Sequence, residues 1–173
     1  VIVLADQILD SNHAPTKTAF GRCKALIEKM GKRVLLINTA ESLSFEGAIP
    51  FYDAKKALYF EELNNCEALV WDGVSIPYFQ YEQNMPNLES MKELLTFIQK
   101  YKPAYIISVG GSSLVANLAN KMIPVISLSL CFSDIDITLT DYQIVGRNLT
   151  DEDREILQEV NYEENQIITS QFT

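Results

Sequence analysis

A single histidine, His13, stands in the most chemically loaded stretch of the chain. This is the polar segment 6–17, DQILDSNHAPTK, with Asp10, Ser11 and Asn12 just before the imidazole and a helix start just after it. An imidazole in that setting can act as general base toward a sugar or alcohol hydroxyl, with a nearby carboxylate holding its tautomer. The plainer reading is a loop histidine that caps or hydrogen-bonds locally, and the residues leave both open. Lys17 at the helix start can bind an anion or stay solvated. A second stretch, Val109-Gly110-Gly111-Ser112-Ser113, would aim the backbone N–H groups of Gly111, Ser112 and Ser113 out of the carboxyl end of a buried strand, where open α/β sheets place their ligands. A tight strand-to-helix turn explains the same residues, because Gly-Gly-Ser-Ser is far less specific than a full phosphate-binding fingerprint. Nucleophilic catalysis has no support: there is no Gly-x-Ser-x-Gly elbow, and one histidine leaves little room for a triad.

Both stretches depend on buried strands that end where they begin. Val1 to Ala5 reads as a central strand, and Thr16 begins a helix from Lys17 to about Met30 with Phe20, Cys23, Ile27 and Met30 as its apolar stripe. Gly31 stops it, and Arg33 to Asn38 is a second parallel strand, reached by a right-handed crossover. Residues 102–130 form a βαβ-type unit. Tyr105 to Val109 is apolar without alternation, which suits a strand buried on both faces. Ser112 or Ser113 caps a helix whose Leu114, Leu118 and Met122 share one face, and Pro124 restarts the chain as the strand Val125 to Leu130.

The remaining pattern fits the same doubly wound, mostly parallel α/β architecture, Rossmann-like and in a single domain. Residues 39–56 read as a long loop or insert. Leu58 to Phe60 and Ala68 to Trp71 are short strand candidates, with Glu61 to Asn65 as a turn between them. Asp72-Gly73 signals a further turn, and Tyr78, Phe79 and Tyr81 form an aromatic patch, more often a cover for the core than a ligand platform. Pro86-Asn87 opens a helix to about Tyr101 with Leu88, Met91, Leu94, Leu95 and Ile98 on one face. Residues 134–141 are polar loop, Gln143 to Val145 is a late strand, and Thr150 with the acidic residues 151–153 starts a helix whose buried side is Ile156, Leu157 and Val160. Gln166 to Thr169 reads as a last strand. A first residue other than methionine and a closing strand with no helix after it lead us to expect a segment of a longer protein.

Composition narrows the function. Twenty-three acidic residues against fourteen basic give a net charge of -9, which disfavours nucleic acid and anionic membrane surfaces as partners. Cys23, Cys66 and Cys131 are scattered, which fits reduced thiols in a cytoplasmic protein and argues against zinc. No apolar run approaches the roughly 18 to 20 residues of a membrane helix, and no basic signal region opens the chain.

Strand, histidine-bearing loop, helix and strand, followed later by the Gly-Gly-Ser-Ser turn, resemble the N-terminal half of bacterial GT-B glycosyltransferases. Those enzymes have two Rossmann-like domains facing a cleft, the first accepting the acceptor and the second holding the nucleotide-sugar. The resemblance spans most of the chain in organisation and rests on residues 10–16 and 109–113; the first loop lacks the glycines common in such enzymes. It implies that residues 1–173 are the N-terminal domain of a two-domain transferase of the hexosyltransferase type, inactive in isolation, that moves a sugar from a nucleotide-sugar to a hydroxyl of a carbohydrate or protein acceptor. His13 or Asp10 would touch the acceptor hydroxyl, Asn12, Thr16 and Lys17 would help bind substrate, and Gly110, Gly111, Ser112 and Ser113 would line the cleft opposite the donor diphosphate. Neither metal nor other cofactor is implied. Two alternatives stand beside it. One is a non-catalytic module of doubly wound fold that binds a nucleotide or small anion. The other is a single-domain transferase using Asp134-Ile135-Asp136 as a metal-binding Asp-x-Asp, a pattern short enough to arise by chance.

Overall fold

The computed structural model describes residues 1–41, 61–81, 87–110, 113–130, 135 and 139–170. Among them, eight strands form one sheet: β1 (Ile2–Ala5), β2 (Leu35–Asn38), β3 (Ala68–Trp71), β4 (Val74–Gln80), β5 (Ile106–Val109), β6 (Val125–Leu128), β7 (Tyr142–Val145) and β8 (Ile167–Thr169). Their spatial order is β3-β4-β2-β1-β5-β6-β7-β8. Every neighbouring pair is parallel except β3 with β4. The chain winds outward from β1 through β2 to β4, then returns to lay β5 on the other side of β1. That reversal makes the β1/β5 junction the topological switch point of a Rossmann-like sheet.

Helices cover both faces, which is why the central strands show no polar alternation. On one face Val3, Leu36, Ile107 and Leu128 pack with Ala19, Phe20, Cys23 and Leu26 of α1 (Ala14–Glu28). On the other, Ile2, Leu4, Ile37, Ile106 and Val125 pack with Met91, Leu94 and Ile98 of α2 (Leu88–Tyr101) and with Val115, Ala116 and Ala119 of α3 (Leu114–Ala119). The last helix, α4 (Asp151–Glu159), connects β7 to β8 and buries Leu157.

Several expectations shift. α1 begins at Ala14 rather than Lys17, with His13 as its N-cap residue and Pro15 in its first turn, where a missing N–H costs nothing. It ends at Glu28, so Met30 lies beyond it and is exposed. The apolar face assigned to α3 is the outer one. Leu114, Leu118 and Met122 are 39%, 41% and 41% exposed, while Val115, Ala116 and Ala119 face the sheet. The cap at Ser113 fixes the helix rotation, and the small side chains let the backbone approach the strands closely. Val160, at the C-cap of α4, is exposed rather than buried, and in α2 so is Leu88. Of the aromatic patch, Tyr78 and Phe79 belong to a strand, β4, in which Val74, Ile76, Tyr78 and Gln80 point inward and Ser75, Pro77 and Phe79 outward, and Tyr81 follows it. Pro77 is accommodated because it sits just ahead of the first residue paired with β2, Tyr78 opposite Leu36. Asp72 and Gly73, both at positive φ, make the two-residue hairpin turn from β3. The candidate strand 58–60 lies outside the described residues.

Candidate functional site

The carboxyl ends of β1, β2 and β5 converge on the switch point, and three loops leave from there. The first follows β1. Asp6 continues the ladder for one bond, its N–H donating to the Val109 carbonyl at 3.4 Å. Its carboxyl group lies directly over Gly110, where an added Cβ would fall 2.4 Å from Asp6 Cγ. Gly110 also sits at φ +113°, a conformation that L side chains rarely adopt. Glycine is thus required twice over, by the backbone and by the acid above it.

Downstream, the loop is tied by its own polar groups. Asp10 Oδ1 accepts from the Asn12 N–H at 2.7 Å, and the Asp10 carbonyl accepts from the His13 N–H at 3.1 Å. This is the local turn that aspartate favours. Fully buried Thr16 takes the Leu9 N–H on its hydroxyl at 2.9 Å, and the same oxygen lies 3.1 Å from His13 Nδ1. The group that orients the imidazole is therefore the Thr16 hydroxyl rather than the carboxylate expected from the sequence. With its proton on Nδ1, directed at Thr16, His13 offers an Nε2 lone pair to a ligand. Asn12 and Lys17 are exposed on the rim, and Lys17 has no ion pair among the described residues.

The second loop follows β2 and brings in a residue that sequence reading missed. Thr39 bonds the Ala5 carbonyl through both its N–H and its hydroxyl, and Asn38 Oδ1 accepts from the Ala40 N–H. Ala40 takes a positive φ of 51°, and the turn delivers Glu41 to the start of α3. Glu41 is 6% exposed. One carboxylate oxygen accepts from the Ser113 hydroxyl at 2.6 Å and the other from the Val115 N–H at 3.0 Å. Ser113 Oγ in turn accepts from the Ala116 N–H at 3.0 Å. The first-turn amides of α3 are thus satisfied from within the chain. Ser113 serves there as the N-cap, while Gly111 and Ser112, with Asp134 and Asp136, lie outside the described residues.

Burial pushes the Glu41 carboxyl above its usual range, opposed by the hydrogen bonds from Ser113, Thr39 and the α3 amides. A carboxyl whose folded pKa is raised contributes most below its unfolded value, and stability falls as pH rises through the folded pKa. Glu41→Gln is expected to flatten that slope, whereas Glu41→Ala strands two buried donors and should cost about 2–3 kcal/mol. Urea midpoints of the three proteins between pH 4 and 8 check both statements; parallel pH profiles for wild type and Glu41→Gln would contradict the first.

Asp6 and Glu41 carry one signal that sequence reading could have used: each acid closely follows the carboxyl end of a central strand. Among the described residues, no group of three or more His, Cys, Asp or Glu side chains converges in a way that could hold a metal ion. No helix of the described residues is long and apolar enough to cross a membrane. Searched against protein-family models and against curated proteins, the chain finds no match in either.

Proposed function

We propose that this chain is the acceptor-side domain of a two-domain glycosyltransferase, in which the donor nucleotide-sugar is held by the second domain. The observation that carries the reading is the seat of His13: N-cap of α1, at the mouth of central strand β1, with Nδ1 held by a buried hydroxyl. In the proposed reaction an acceptor O–H lies against His13 Nε2. As the bond from the sugar C1 to the departing nucleoside diphosphate breaks, the acceptor oxygen forms the new bond to C1 and its proton passes to Nε2. Asp10 steadies the imidazolium or a neighbouring acceptor hydroxyl, and Asn12 and Lys17 line the entrance.

The charges around the switch point favour a neutral, hydroxyl-rich acceptor. Asp6 and Glu41 place two carboxyl groups on this side of the cleft, where they would repel a bound anion. The diphosphate is therefore assigned to the second domain, across from Gly110 to Ser113. The same carboxyl groups, and the internal partners of the Val115 and Ala116 amides, weigh against the alternative of an anion-binding module centred on this turn.

The test is transferase activity of the full-length protein on a panel of nucleotide-sugars. His13→Ala is expected to lower kcat by about 10²- to 10⁴-fold with an unchanged fold. Thr16→Val should shift the pH profile of kcat/KM while leaving residual activity. Undiminished turnover in His13→Ala would sink the role of the histidine, and no transfer from any nucleotide-sugar would sink the reading itself.

A further inference from the structure

A pocket of about 250 Å³ opens at the amino end of the sheet, the edge opposite His13. Its lining includes Val1, Lys32, Arg33, Tyr101, Lys102 and Tyr105, and no carboxylate among the described residues. In a chain with a net charge of -9 this is an unusual concentration of cations, and the topology creates it. Lys32 and Arg33 lie between α1 and β2, and Lys102 lies between α2 and β5. Because β2 and β5 flank β1, the two junctions, far apart in sequence, are fastened to the start of the same strand. The Val1 nitrogen donates to the Arg33 carbonyl at 2.9 Å and the Ile2 N–H to the Tyr105 carbonyl at 3.4 Å.

None of the three cations has an ion-pair partner among the described residues. Helix-dipole compensation accounts for Lys102, which caps α2, but not for Lys32 and Arg33, which lie past the end of α1.

We propose that this pocket binds a phosphate group. The Arg33 fork and the two ammonium groups would surround its oxygens, with Tyr101 and Tyr105 flanking whatever carries it. The volume admits a phosphate or diphosphate with the first atoms of its carrier, and is too small for a dinucleotide. The proposal is independent of the transferase reading, since none of these residues belongs to the loops around His13.

Two probes distinguish the sources of such a phosphate. Inorganic pyrophosphate is titrated calorimetrically into the full-length protein at low salt, and the same protein is co-sedimented with phosphatidylcholine vesicles with and without phosphatidic acid. Saturable pyrophosphate binding that weakens at least about tenfold in the Arg33→Gln/Lys102→Gln double variant, and is unchanged in Lys92→Gln and His13→Ala, supports a soluble phosphate ligand. Binding only to phosphatidic acid vesicles, lost in the double variant, assigns the phosphate to a lipid headgroup. Binding to neither probe, binding that the double variant leaves unchanged, or an equal loss in Lys92→Gln overturns the proposal. All three altered side chains that carry charge are exposed, and circular dichroism confirms that each variant is folded.

Discussion

Gly110→Ala is expected to destabilise the protein by about 3 kcal/mol or more, a large effect for one methyl group. Two penalties combine. The residue sits at φ +113°, and the new Cβ would meet Asp6 Cγ and Oδ2 at 2.4 Å and Oδ1 at 2.6 Å. The collision is with one identifiable side chain, so it can be removed separately. Asp6→Ala takes away all three offending atoms and leaves the backbone penalty. The double variant Asp6→Ala/Gly110→Ala should therefore be more stable than the sum of the single changes predicts, by at least about 1 kcal/mol. Denaturant melts of the four proteins measure this coupling, and strict additivity would show that Asp6 does not hold the place assigned to it.

Loss of Asp153 is expected to cost about 3 kcal/mol as Asp153→Ala. The residue is 5% exposed and serves two elements at once. Its carboxylate accepts from the Thr150 N–H at 2.7 Å while Thr150 Oγ1 accepts from the Asp153 N–H, a reciprocal cap on α4. Arg147 grips the same carboxylate with both terminal nitrogens, one of them at 2.8 Å. Arg147 above all, and then the Thr150 hydrogen bonds, hold this carboxyl well below the usual carboxylate range despite its burial. With a depressed folded pKa, the stability it supplies is complete above the unfolded value and is lost as pH falls toward the folded one. The gap between wild type and Asp153→Asn should thus be constant from neutral pH down to about 4 and narrow below that. A gap that stays open in stronger acid would count against the ion pair as its source.

What could be read from the sequence was what neighbouring residues encode together. The unbroken apolar runs of β1, β2, β5 and β6 needed no tertiary information, and neither did the caps at Asn87, Ser113 and Thr150. Single sequences fail where two geometries satisfy one pattern. Around α3, which ends before Met122, the four-residue spacing of Leu114, Leu118 and Met122 is as regular as any buried stripe, yet Val115, Ala116 and Ala119 pack inward. In β4 a proline and adjacent aromatics mask an alternation that becomes meaningful only between β3 and β2. The site was legible to a similar depth. The loop of Asp10 and His13 stands out by composition, but Glu41 reaches Ser113 across 72 positions, and Asp6 meets Gly110 only because β1 lies beside β5. No local signal reports such contacts.

The placement of β1 between β2 and β5 also sets an order of events during synthesis. Ile2, Val3 and Leu4 are wholly buried in the finished sheet. One side of their strand can pair with β2 early, whereas the other waits for Ile106–Val109, about a hundred residues later. At roughly 5–20 residues per second, that interval lasts about 5 to 20 s. Throughout it the nascent chain carries an open, hydrophobic strand edge, so co-translational chaperone engagement should centre on β1 and end when β5 emerges.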